Sequence, residues 1–292
     1  MSTAQIHDLG YRGYDGERLG EAAVARSLFV TGLRHIFGLG RSLKSRLLPI
    51  GILVCSVLPA LIMVAITVMT KIGQLPVPYE RYPMIMQMLT SIFVAAQAPV
   101  IFSRDLRYRS ITLYLARPLR RTTYVMARLA SLAAGTLIII GLPVLVLWLG
   151  ALLGGLPWQD ESLHALKAVP GILVLTAVLT VVSGAISSLT TKRGIAVVAI
   201  IATLIVSSGV ANAVAAIVQS SNGPIGIRGS WAGVLNPFTL ADGLQSWWFG
   251  FPTDLPATVS GGDGWLYLAV LALTLAGATA VVLRRYAKAG AA

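Results

Sequence analysis

Charge is what this sequence has least of. Only 12% of its 292 residues are Asp, Glu, Lys or Arg, where a soluble domain carries about 25%. That scarcity excludes a soluble globular chain. Acids are rarer than bases, 11 against 23 Lys and Arg. One cysteine is present, Cys55, so no disulfide framework can form within the chain. It sits in an apolar run and reads as a small buried residue. The three histidines, His7, His35 and His164, are scattered. No HExxH or Cys/His cluster accompanies them, which argues against a metal site. A phosphate-binding GxxxxGK[ST] loop is missing too. Gly38–Ser45 reads GLGRSLKS, with no glycine directly before the lysine. The chain is not expected to bind ATP or any other cofactor itself.

What is there is hydrophobic: 56% of the residues, gathered into runs without charge. Six such runs cover about 47–70, 84–102, 129–153, 168–191, 194–218 and 265–283. A hydrocarbon core of roughly 30 Å needs about 20 helical residues, so each run is long enough to cross. None alternates apolar with polar, which excludes a membrane β-barrel. The pattern predicts an all-α polytopic membrane protein with six transmembrane helices. No Asp, Glu, Lys, Arg or His lies inside any run. Ion-coupled carriers keep one at mid-membrane, and an intramembrane enzyme needs an acid–base or nucleophile–base pair, so both classes are disfavoured. The mild polarity that remains, Gln87 and Gln97 beside Met88 and Phe93, and Asn212 further on, marks the candidate substrate pathway. The competing reading has each of these polar groups bonding a neighbouring helix.

The bases are segregated. If 1–46, 103–128, 192–193 and 284–292 share one side, that side holds 19 of the 23 Lys and Arg. The positive-inside rule then puts both termini in the cytoplasm. The net charge of +12 is thereby a topology signal, aided by attraction to anionic lipid heads. It is no nucleic-acid footprint, because no soluble face exists to carry one. The first apolar run starts late and lacks a cleavage pattern, so it is expected to remain as an anchor. Residues 1–18 read as irregular. Within the 1–46 segment, 20–46 reads as an amphipathic helix, with Phe29, Leu33, Ile36, Gly40, Leu43 and Leu47 at steps of three and four. It suits a membrane interface, or else a strut packed on other cytoplasmic elements. The loop 219–264 is rich in Trp and Phe, which favour the membrane boundary, and is read as short helices on the outer side. Residues 284–292 form a cytoplasmic tail.

Residues 101–128 are the most informative stretch. Seven arginines and one acid, Asp105, lie there between two uncharged runs. Apolar residues are interleaved with them, and Pro118 offers a stop for a short helix. Asp105, then Ser110-Ile111-Thr112-Leu113, Ala116-Arg117-Pro118, Arg121 and Tyr124 resemble the loop between the second and third spans of type-2 ABC transporter permeases. Members of that family often read acid, Gly-Thr-Leu, then Arg-Pro-x-x-Arg. Here Ser110 stands in the glycine position, and extra arginines are present. The opening IHDLGYRGYDGER is similar to the start of a bacterial subgroup of these permeases.

The resemblance implies a type-2 ABC exporter-like subunit in the bacterial inner membrane. It would pair with a second copy of itself and with two copies of a separate ABC ATPase that carry the ATP and Mg²⁺. It also implies that 103–124, within the cytoplasmic loop 103–128, is the coupling element. Leu106, Ile111, Leu113, Tyr114 and Leu115 would supply apolar contacts to the ATPase. Asp105, Arg107 and Arg109 would hold register at the rim. The rival readings are a membrane scaffold that recruits a partner and moves nothing, and a channel. Topology is open to a direct test. In a Cys55→Ala background, Ser2→Cys, Ser221→Cys and Ala291→Cys are each treated with an impermeant thiol reagent outside intact cells. Only the residue 221 site is expected to react, and labelling at 291 contradicts the topology.

Overall fold

The computed structural model describes residues 20–40, 42–71, 73–107, 119–222, 230–253, 259 and 261–289. The described residues build helices α1 (Glu21–Ile36), α2 (Leu43–Thr70), α3 (Tyr82–Ile85), α4 (Gln87–Ile101) and α5 (Ser103–Arg107). After the basic segment come α6 (Arg121–Leu153), α7 (Trp158–Leu189), α8 (Arg193–Asn222), a 3-10 turn (Ser230–Leu235), α9 (Pro237–Phe249) and α10 (Asp263–Ala289). No strand occurs among them. Five helices are long and apolar enough to cross a membrane: α2, α6, α7, α8 over Arg193–Val218, and α10 over Asp263–Lys288. The chain is therefore built as a polytopic membrane protein.

The run at 84–102 differs from its expected form. It is divided at Met86 and Phe102, leaving α4 with 15 residues, a rise of about 22 Å. What it lacks in length it makes up in burial. Phe93, Val94, Ala95, Ala98 and Ile101 have no exposed surface. α4 is the centre of the bundle, packed on α6, α7 and α8.

The expected helix 20–46 is broken as well. α1 ends at Ile36, and Gly38 takes a left-handed φ of 65° that a residue with a Cβ avoids. Leu43 and Leu47 then belong to α2, where they are exposed. α1 buries Leu28, Gly32 and Ile36, and Ser131 of α6 donates to the Phe29 carbonyl at 3.0 Å. Its inward face is thus packed on protein, as a strut would be, while Arg26, Ser27, Val30 and Arg34 stay exposed. Cys55 is also not where expected: it lies on the exposed face of α2.

The small residues of the spans serve packing within the chain. Gly150 faces Val64 of α2, and Gly184 faces Phe102 and Leu129. The described part of the aromatic loop is ordered by its own chemistry. Asn236 caps α9, its side chain accepting from the Phe238 amide at 3.1 Å, and Pro237 suits the first helical position. α9 buries Phe238, Leu240 and Leu244 against α7 and α10. Gly171 lets it approach: a Cβ there would lie 1.9 Å from Gln245 Cδ. The Gln245 side chain instead donates to the Ala168 carbonyl at 2.8 Å.

Among the unsatisfied groups near this joint is one carboxyl oxygen. Glu80 is 7% exposed, and its Oε2 has no hydrogen-bond partner among the described residues. It lines a chamber of about 20 Å³ with Asp242 and Gln245. Burial pushes the Glu80 carboxyl above the ordinary carboxylate range, against the pull of its own backbone amide and then of His164 and Arg81. Folding then takes up a proton there, so stability is fullest at low pH and falls as pH rises through the raised value. Thermal unfolding in detergent is expected to show that decline from about pH 4.5 upward. Glu80→Gln is expected to flatten it and to melt higher at the alkaline end. A variant that melts lower at every pH contradicts a neutral Glu80.

Candidate functional site

The resemblance pointed to the basic segment, and the structure shows what holds its ends. α5 places Asp105, 7% exposed, inside the protein. Arg128 reaches it from the first turns of α6, Nη2 to Oδ2 at 2.7 Å, and is itself 3% exposed. The Tyr124 hydroxyl donates to the same carboxylate and accepts from Arg128 Nε at 3.3 Å. The guanidinium also lies 5.3 Å from the Tyr124 ring centroid, within cation–π range. Burial pushes the Asp105 carboxyl up, and Arg128 pulls against it. His35 of α1 lies nearby, held below the ordinary imidazole range by burial and then by Arg104 and Arg128.

Three helix C-termini meet this cluster. The last carbonyls of a helix have no partner within it, and the helix dipole favours cations there. Ser103 donates to the Ser187 carbonyl at 2.7 Å, and Arg285 to the Ser188 carbonyl at 3.2 Å. Both carbonyls lie in the last turn of α7. Tyr286 donates to the Phe102 carbonyl at the end of α4, at 3.1 Å, and Arg121 to Ala287 in the last turn of α10, at 3.1 Å. Tyr286 packs its ring on Tyr124 and Phe102, at 5.8 and 6.2 Å between centroids. On the far side, Glu21 of α1 accepts from Thr123 at 2.6 Å and from the Arg120 amide at 3.1 Å.

The expected coupling residues are distributed as follows. Asp105 is not at a rim but in the interior. Leu106 is half-buried against the core, and Arg107 is exposed. Arg109, Ile111, Leu113, Tyr114 and Leu115 lie outside the described residues. Both borders of that stretch are anchored: Asp105 before it through Arg128, and Leu119, Arg120 and Thr123 after it through burial and Glu21.

The pathway candidates are not gathered on one surface. Phe93 and Gln97 are buried, 0 and 5% exposed. Gln87 is half-buried, Met88 is exposed, and Asn212 is exposed and donates to the Ser208 carbonyl of its own helix at 2.9 Å. Sequence reasoning missed Arg128 and Tyr286 as members of the site. The available signal was a lone acid among arginines, which calls for one specific partner. Among the described residues no group of three or more His, Cys, Asp or Glu is placed to hold a metal ion. No family model matches the chain, and comparison with curated proteins gives no match.

The ion pair has a testable signature. Removing one partner of a buried pair costs about 3–5 kcal/mol, because the other charge is left without its counterion. Arg128→Met is expected to lower the melting temperature sharply. Asp105→Leu combined with Arg128→Met is expected to recover much of that loss. A double variant no more stable than Arg128→Met shows that the two residues are not coupled.

Proposed function

We propose that this chain is the membrane subunit of an ATP-driven exporter of the type-2 ABC kind. It works as a homodimer with two copies of a separate ATPase, in a bacterial inner membrane with both termini cytoplasmic. In this reading α3 and α4 together, residues 82–101, make the sixth crossing, a path of about 30 Å at helical rise, and α5 opens the cytoplasmic loop. The segment 108–118 meets the ATPase, and Asp105 anchors it rather than touching the partner. The substrate route runs where Gln87, Met88 and Asn212 keep access to the surface.

One observation supports this reading most: both borders of the basic segment are fixed on the bundle by a buried ion pair and by Glu21. A segment held at both ends transmits a push to the helices, whereas a freely hinged one dissipates it. The apolar spans add support, because they contain no charge with which a coupled ion would pair. Energy then has to come from a partner. The scaffold and channel readings remain the alternatives, and neither gives the fixed borders a role.

The test is purification from native membranes in mild detergent. The chain is expected to bring down a Walker-motif ATPase. Leu113→Ala with Tyr114→Ala is expected to insert normally and to lose that subunit, or to keep ATP hydrolysis and lose transport. The chain alone is expected to hydrolyse no ATP. A double variant with normal assembly and transport removes the coupling role. Conductance in a planar bilayer by the chain alone favours the channel.

A further inference from the structure

A groove opens between α6 and α7, in the half of each helix next to the 153–158 turn. Leu137, Gly141 and Leu145 form one wall, and Leu166, Val169 and Leu173 the other. All five of these leucines and valines are exposed. Among the described residues, no charged side chain lines the groove. At one end Trp148 Nε1 donates to Ser162 Oγ at 3.2 Å, and Trp158, at the first position of α7, is 67% exposed. Indole rings with a satisfied N–H settle at the head-group boundary. Below them the groove runs inward along two helices that are both apolar enough to cross a membrane.

Its lining and its place between two membrane-spanning helices point to the occupant. The volume is about 330 Å³, inside the range of about 300–1,000 Å³ for small-ligand sites. It runs as an open groove along the 11-residue rise from 137 to 148, about 16 Å. A single methylene chain fits it. The uncharged walls reject an ionised or peptide ligand, since burying either without partners is costly.

We propose that this groove is a binding site for one acyl chain of a membrane phospholipid, with the head group at the Trp148–Ser162 end. The inference rests on the membrane-spanning character of α6 and α7 and not on the exporter reading. Each can fail without the other.

Crosslinking tests it. The chain is reconstituted into vesicles of phosphatidylethanolamine and phosphatidylglycerol containing a phospholipid with a diazirine on one acyl chain. After irradiation, adducts are mapped by peptide mass spectrometry. Adducts on 137–148 and 162–173 are expected to exceed those on the exposed residues Leu58, Leu61 and Met69 of α2 by about tenfold, the ratio that about 1.4 kcal/mol of preference gives. Gly141→Leu fills the groove. A Cβ at that position meets only Leu137 Cδ1, at 3.9 Å, so the core is untouched. It is expected to bring the ratio to about one with labelling of α2 unchanged. Leu166→Trp, on the opposite wall, is a second plug for the case that the first does not insert.

Equal labelling of all exposed faces in the wild type means annular lipid only and overturns the proposal. A plugged variant that labels like the wild type does so too. An apolar diazirine solute without a head group that displaces the lipid adducts reassigns the groove to small solutes.

Discussion

The Asp105–Arg128 ion pair is the contact on which the cytoplasmic-side architecture of this reading depends. Taking either charge out of water costs several kcal/mol. The cost is offset only because the carboxylate also accepts from Tyr124 and the guanidinium lies beside that ring. α5 has five residues, too few to persist as an isolated helix when nucleation is so unfavourable. Its position is therefore borrowed from α6, through one carboxylate. A salt bridge of this kind adds little net stability compared with apolar residues of the same volume. What it supplies is a fixed tie between α5 and α6 through one carboxylate.

The arginines around it do more than report topology. α4, α7 and α10 all end at this cluster, and each contributes carbonyls that its own helix cannot satisfy. Ser103, Arg121, Arg285 and Tyr286 donate to those carbonyls. Basic residues at this end thus answer two demands at once: the charge asymmetry of insertion and the negative ends of three helices. In the proposed function this coincidence matters, because α5, which carries Asp105, is bonded through Ser103 to the end of α7, and Tyr286 joins α10 to the end of α4.

Much of the architecture was legible in the sequence. Five of the six apolar runs become long helices, because a run of about 20 residues without charge has few other ways to bury its backbone in lipid. The run at 84–102 was found but its form was not. Composition reports burial in something apolar and does not say whether that is lipid or neighbouring helices, and α4 takes the second option. The same ambiguity misplaced Cys55, which an apolar run marks as sheltered although its face of α2 is open. The α1–α2 break escaped because apolar spacing continues through Gly38 and Gly40, and only a backbone with positive φ at both reveals the turn. Asp105 was placed at the rim because the resemblance assigns its segment to a coupling element. Its true partner lies 23 positions on, one helical turn past Tyr124, and only the fold brings them together.

The two ends of the molecule differ in how well their polar groups are matched, and that difference bears on motion. At the Asp105 end both charges of the pair are matched, and hydrogen bonds tie α5 to α6 and α7, although the Ser187 hydroxyl there is buried without a partner among the described residues. At the opposite end, Tyr79 donates to Glu161 at 2.5 Å and Gln245 to Ala168, but Glu80 keeps a buried oxygen without a partner. Opening that end exposes Glu80 to water and recovers hydration free energy, whereas opening the Asp105 end separates a pair and strands two charges. Local opening follows the lowest free-energy route, which here is the joint of α7, α9 and the chain around Glu80. A subunit that receives force at its stiff end and yields at the other is the mechanical arrangement the proposed exporter requires, and it arises from where one carboxylate is paired and another is not.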